Sequence, residues 1–391
     1  MAKTLVVKIG VLIALLSILA SSCGQEQTEI PAAPTQQTQT AAEPGVPPAG
    51  EHTVPIDGHN LTLPRGFNIE RWVAGRGDLR MMAVTDDGYL LVTEKDEGNV
   101  LAFSLADQRP QAVTVIEDLS TPSGIAYHDK HLWVAEVTSV SRYEYLGGGR
   151  VAGRETVISG IPSGGHSTRT IGFGPDNRLY VAVGSSCNVC EEEDPRRGAI
   201  SRYNQDGSGE ILFAAGLRNT VGFVWHPVTG EMWGVDNGRD RLGDNLPPEE
   251  INIIREGRHY GWPYCYGNRV VDPFGEQTGK SDFCPSTEPP IVEMQAHSAP
   301  LGLRFLESTA WPQQYRGSLF IAFHGSWNRT VPTGYKVVRV GEDRRVTDFI
   351  TGWMDQTGVW GRPVDILFVG QDMYITDDYS GSIYRVTLEA E

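Results

Sequence analysis

Positive charge is scarce in this sequence. Across 391 residues, 33 Lys and Arg face 49 Asp and Glu, a formal charge of −16. Binding to nucleic acid needs a basic face, so no nucleic-acid partner is expected. Cysteine is also rare, at five residues. No Cys-x-x-Cys-His run exists, which excludes covalently attached c-type haem. With Cys23 set aside, Cys187, Cys190, Cys265 and Cys284 form an even set. Cys187-Asn-Val-Cys190 has redox or zinc spacing, yet neither a second such pair nor a nearby histidine completes a metal set. Local disulfides, Cys187–Cys190 and Cys265–Cys284, are expected, with a redox role for the first pair as the alternative. Long apolar stretches are missing too. The run Ile9–Leu19 is far too short to span a bilayer, and no long amphipathic helix is legible.

The first fifty residues do not read as fold. Lys3 and Lys8 precede the apolar run, and Ala20-Ser21-Ser22 leads into Cys23. Residues 1–23 resemble a bacterial lipoprotein signal in which Cys23 becomes the lipidated terminus, although Ala20 stands where a large aliphatic residue is usual. An ordinary cleaved signal is the alternative. Either implies export, to the periplasm or cell surface, and membrane contact only through the N-terminal lipid. Residues 24–55, rich in Gln, Thr, Pro, Ala and Glu, bury too little apolar surface to offset their ordering entropy, and read as a flexible linker. Residues 56–391 remain for one folded domain.

What that domain has is repetition. Apolar strands recur at Met82–Thr85, Gly124–Tyr127, Ile171–Gly174, Val221–Val224, Leu301–Arg304 and Val364–Leu367. Taking Ala83, Ala126, Gly172, Gly222, Gly302 and Asp365 as equivalent, the spacings are 43, 46, 50, 80 and 63 residues. Each strand is followed by an Asp- or Gly-containing turn and a second strand, as in Met82–Thr93 and Ile171–Val183, which is a hairpin signature. Periods of this size with several strands each mean propeller blades. The fold class is therefore all-β, a six-bladed β-propeller. Gly66–Val73, ahead of the first blade, is expected to pair into the last one and close the ring.

The innermost strand of every blade lines the central channel, so residues just ahead of those strands converge at one mouth. Three places upstream of the six equivalent positions stand Arg80, Ser123, Arg169, Asn219, Ala299 and Arg362, with Arg218 one place further back. An acidic protein thus gathers cations at one repeated position, which points to a small polyanion. The alternative for any one arginine is a structural bond to blade backbone. His166, in Gly164-Gly-His-Ser-Thr-Arg169, falls at the same mouth. A neutral imidazole there can take a proton from a hydroxyl, and nearby guanidinium groups disfavour its protonation. Asp236-Asn-Gly-Arg-Asp240 and the following Asp244 and Asn245 offer hard oxygens suited to calcium, or else form a solvated acidic loop.

Several motifs occur in fixed order on this repeat: Gly165-His166, Gly216-Leu-Arg218-Asn219, Asn237-Gly238-Arg239-Asp240 leading to Glu250-Ile-Asn252, Tyr260-Gly-Trp-Pro263, Gly334-Tyr-Lys336, Arg362 and Thr376-Asp377. Together they resemble the soluble pyrroloquinoline quinone (PQQ) sugar dehydrogenases, on the side of the sorbosone and pyranose dehydrogenase-like branch, from about residue 60 to about residue 388. The resemblance implies PQQ lying over the channel mouth with calcium beside it, a sugar, sugar aldehyde or alcohol as substrate, and a separate electron acceptor. His166 would be the general base. Arg218 and Asn219 would hold the quinone oxygens, Lys336 and Arg362 would pair with PQQ carboxylates, and Arg80, Arg169 and Asp377 would complete the cofactor contacts. Calcium in this family takes carbonyls from a Gly-Pro pair. Here the pair is Gly238-Arg239, and Asp240 and Asp244 would add side-chain oxygens. A metal-dependent lactone or ester hydrolase and a non-catalytic cell-surface binding propeller are the rival readings.

Overall fold

The computed structural model describes residues 50–389. The signal segment 1–23, Cys23 and the linker up to residue 49 lie outside the described residues. Six antiparallel sheets follow one another along the chain. Their inner strands are Leu79–Val84, Gly124–His128, Arg169–Phe173, Thr220–Trp225, Pro300–Phe305 and Pro363–Val369, one at each recurring position read from the sequence. The ring closes as expected, because Phe67–Val73 pairs antiparallel with Ser382–Leu388 as the outer strand of the sixth blade.

The recurring small residue has a packing cause. Neighbouring inner strands touch backbone to backbone around the axis. A Cβ on Gly222 would lie 2.0 Å from the Leu301 carbonyl oxygen, and one on Gly302 would lie 2.2 Å from Asp365 Oδ1. Apolar side chains fill the spaces between adjacent blades, for example Ile171, Val181 and Tyr203 of blade 3 against Trp133 and Ala135 of blade 2.

One departure matters. The folded chain begins earlier than the expected linker end at residue 55: Glu51–Ile56 is a strand paired with His59–Pro64. That hairpin buries Leu61 and Leu63 in the cluster holding Trp311, Phe349 and Trp353, and Thr62 exchanges backbone bonds with Thr351 at 2.8 and 2.9 Å. The long insertion after the fourth inner strand falls inside blade 4, between Glu249–Ile254 and its outer strand Val292–Met294. It lends Arg258–His259 to the edge of blade 3 and carries the Cys265–Cys284 disulfide. Cys187–Cys190 is also oxidised. Both pairings are those read from the sequence.

Candidate active site at the propeller mouth

Arg80, His166, Arg218, Asn219 and Arg362 share one open cavity of about 240 Å³ at the end of the channel where the inner strands begin. They come from blades 1, 3, 4 and 6, so distant segments meet as the repeat requires. The mouth is lopsided, because Ser123 of blade 2 is fully buried and adds nothing to the wall.

His166 is built in by its loop. Gly165 has φ +62°, and a Cβ there would lie 2.4 Å from Ser186 Cα. Gly184 lets His166 and Asn219 approach, since a Cβ would meet them at 2.7 and 2.4 Å. The ring Nδ1 lies 3.0 Å from the Ser185 carbonyl oxygen, which can only accept. Nδ1 therefore carries the proton, and Nε2 keeps its lone pair. The Ser185 hydroxyl, 3.1 Å from Nδ1, gives its own proton to the Cys187 carbonyl at 2.7 Å. Burial, then Arg218, with smaller pushes from Arg169 and Arg197, drive the imidazole down to about 4, against an upward pull from Ser185. The ring is neutral at ordinary pH.

The arginines divide into two kinds. Arg169 is a correction to the expected cofactor set. It has no exposed surface, and its guanidinium donates to the carbonyls of Val137, Pro162, His166 and Thr168 at 2.7–3.1 Å. It is a clamp on the loop that carries His166, the structural alternative read from sequence. Arg197, which sequence reasoning missed, holds the Gly164 and Gly184 carbonyls beside it. Arg218 reaches the mouth, but its donors are committed to the Asn188, Asn237 and Gly238 carbonyls, Asn188 Oδ1 and Asp240. Arg80 pairs with Asp378 at 2.6 Å, yet its buried Nε has no partner. Arg362 gives Nε to the His324 carbonyl and Nη2 to that of Gly325, leaving Nη1 uncommitted, with the guanidinium 5.6 Å above the Tyr335 ring. Among the described residues it has no carboxylate partner within 4 Å.

Other expected residues fall outside the wall. Lys336 opens the third strand of blade 5, and its ammonium pairs with Asp348 on the outer strand at 2.6 Å. Asp377 is fully buried and accepts the backbone N–H groups of Arg362, Tyr379 and Ser380. It shapes the turn, while its neighbour Asp378 holds the wall residues Arg80 and His324 in place. Hydrogen bonds from His324 and Arg80 hold Asp378 at about 2, overcoming the upward push of burial. Of the expected metal residues, Gly238 and Asp240 line the cavity. Arg239 turns away to Asp272 at 2.7 Å, and Asp244 accepts the Thr330 N–H. The first part of the loop lines the cavity, while Arg241, Gly243 and Asn245 are exposed, and His297 fixes the turn through the Gly243 carbonyl at 2.8 Å. Glu249, from the acidic cluster read in the sequence, and Asn328 are also wall residues, and Asp378 stands behind the wall, holding Arg80 and His324. Their positions follow from pairing across blades 4 to 6.

A six-bladed all-β ring with arginines and a shielded histidine at one mouth has the architecture of the soluble PQQ sugar dehydrogenase-like class. Residues 61–349 match the TrAA12-like family, and the chain belongs to it. A protein of Borreliella burgdorferi carrying no functional name is 32% identical over 361 residues, covering 84% of this chain and 91% of that one. Among solved structures, the holo form of the pyranose dehydrogenase PQQ domain from Coprinopsis cinerea superposes with TM-score 0.74 at 22% identity, over 85% of this chain and 98% of the other. The calcium structure of the Trichoderma reesei carbohydrate-active enzyme of family AA12 gives TM-score 0.72 at 23% identity, over 84% and 96%. At these identities the two likenesses establish the fold.

Proposed function

We propose that this protein oxidises a sugar or a related sugar aldehyde or alcohol, with PQQ and calcium bound at the mouth. One observation carries this reading: the buried, unpartnered Arg80 Nε and the uncommitted Nη1 of Arg362 flank one bowl with a neutral histidine on its far side. PQQ bears three carboxylates, which guanidinium groups match with charge-assisted hydrogen bonds. Arg80 and Arg362 are the residues that would hold it, with the Asn219 amide facing the same space. For calcium, the Gly238 carbonyl and the Asp240 carboxylate are hard oxygens on the wall, the right donor type. Both now accept from Arg218. When bound, PQQ supplies the quinone that takes up a hydride, and calcium supplies Lewis-acidic charge.

The chain's own part is then proton handling and orientation. His166 Nε2 removes the substrate hydroxyl proton, because Nδ1 is already held as a donor by Ser185. Arg218, beside it, keeps the imidazole neutral before reaction and presents fixed positive charge where negative charge develops. Trp327, 72% exposed at the rim, offers an aromatic face to a sugar ring. Two disulfides support an exported, oxidising setting, and electrons pass on to a separate acceptor. The test is purified protein reconstituted with PQQ and calcium, assayed for dye reduction with a panel of aldoses and alcohols. Turnover that needs PQQ is expected. Lactone or ester hydrolysis without PQQ, or no cofactor uptake at all, overturns the reading.

A further inference from the structure

The disulfide Cys187–Cys190 closes a loop of two residues, Asn188 and Val189, beside the mouth. Asn188 spends every polar atom of its side chain on the site. Its Oδ1 accepts from Arg218 Nη2 at 3.0 Å and from the Asp240 N–H at 2.7 Å. Its Nδ2 donates to the Asp240 carbonyl at 3.0 Å. The Asn188 carbonyl takes Arg218 Nε at 3.0 Å and the Trp262 indole N–H at 3.3 Å. Arginine is long and rotamer-rich, so a guanidinium stays in one place only when its donors are met at fixed points. Asn188 supplies two of those points, on two different nitrogens of Arg218.

The same loop reaches His166. Cys187 accepts the Ser185 hydroxyl through its carbonyl, and Ser185 orients the imidazole. A four-residue segment closed by its own cross-link therefore braces both the cation and the base. The cross-link removes freedom that a loop of this size would otherwise keep. Glu192 ties down the far end by accepting the Ser186 N–H and hydroxyl.

We propose that Asn188, mounted in the Cys187–Cys190 loop, is a positioning residue that holds the Arg218 guanidinium at the mouth. Its catalytic consequence rests on the function proposed above, but the brace itself does not. The experiment reads both separately. In cofactor-free protein labelled with ¹⁵N-arginine, the signal of the Arg218 Nη2–H that the Asn188 side chain accepts is assigned by its loss in Arg218→Lys. Asn188→Ala is expected to speed hydrogen exchange at that N–H about tenfold or more, while thermal unfolding stays within a few degrees of the parent. Asn188→Asp keeps the Oδ1 acceptor and holds exchange near the parent rate. The double variant Cys187→Ser with Cys190→Ser shifts it in the same direction as Asn188→Ala, by less. In the reconstituted enzyme, Asn188→Ala lowers kcat about 10- to 100-fold with sugar KM little changed. Unchanged Arg218 exchange in both Asn188→Ala and the double cysteine variant overturns the brace. Faster exchange in Asn188→Ala, together with a parent that shows no PQQ-dependent turnover, leaves the brace standing and removes the functional reading instead.

Discussion

Arg169 and Arg362 stand at the same offset from their inner strands, yet they do opposite things. Arg169 lies under four backbone carbonyls with no exposed surface. Arg362 meets two carbonyls and keeps a free nitrogen toward the cavity. Position in the repeat brings a side chain to the mouth, and the number of unpaired carbonyls around it decides whether it serves the backbone or a ligand. Blades 3 and 4 accordingly hold the committed groups, His166 and Arg218. Blades 1 and 6 hold the donors with capacity to spare. Under the proposed function, one side of the mouth would move a proton and the other receive an anion.

The largest effect should come from the proton side. His166→Ala is expected to lower PQQ-dependent turnover about 10³-fold, with PQQ affinity, read by direct titration, changed only a few-fold. Equal loss of both would put His166 among the cofactor contacts and dissolve the division.

Arg169 tests the same division from the other direction. Arg169→Met strips the donor from four buried carbonyls, so a stability loss of about 3 kcal/mol is expected in denaturant unfolding. PQQ affinity per folded molecule should hold. If stability is untouched and PQQ binding collapses, Arg169 is a ligand after all.

Arg362→Ala should do the reverse. Losing charge-assisted bonds to a carboxylate weakens PQQ about 10- to 100-fold, with a smaller stability loss than in Arg169→Met, since two carbonyls and not four lose a donor, and a much smaller change in kcat at saturating cofactor. A drop confined to kcat would argue that Arg362 acts on the reaction and not on binding.

The ring, its closure by Phe67–Val73, both disulfides and the meeting of Arg80, His166, Arg218 and Arg362 were legible because a propeller converts repeat register into position. Partner choice was not legible. Nothing in Thr376-Asp377-Asp378 says that the second aspartate holds Arg80 and His324 behind the mouth, since that depends on where strand pairing stops, after Asp377↔Ser382. Arg169 and Arg362 look alike until the loop 162–168 folds back over one of them. Lys336 matched a motif, yet its place on the third strand of blade 5 turns it to Asp348. The hairpin Glu51–Pro64 was hidden because its apolar residues alternate across only two short strands after a polar tract.

The smallest effect lies beneath the acidic loop and concerns stability alone. Burial pushes Glu250 up to about 8 and Glu249 to about 7, from an ordinary 4.5. Such groups bind protons in the folded state that the unfolded chain has already released. Their contribution is complete below pH 4.5 and is lost as pH rises through 7 and 8. Half-buried His166 and His259 are shifted the other way by desolvation, to about 4. Their contribution is lost as pH falls from 6.5 to 4, so it does not interfere above 6.5. The unfolding midpoint should therefore drop between pH 6.5 and pH 8. Geometry supports a protonated Glu250: Asn252 Oδ1 is buried without a partner, while its Nδ2 lies 3.0 Å from Glu250 Oε2. Turning that amide over gives the carboxylic proton an acceptor. Glu250→Gln presents the same donor at every pH. It should match the parent only below about pH 4.5, and its advantage should grow between pH 6.5 and pH 8 by on the order of 1 kcal/mol. A variant whose midpoint falls in parallel with the parent would show that Glu250 is ionised in the folded protein throughout.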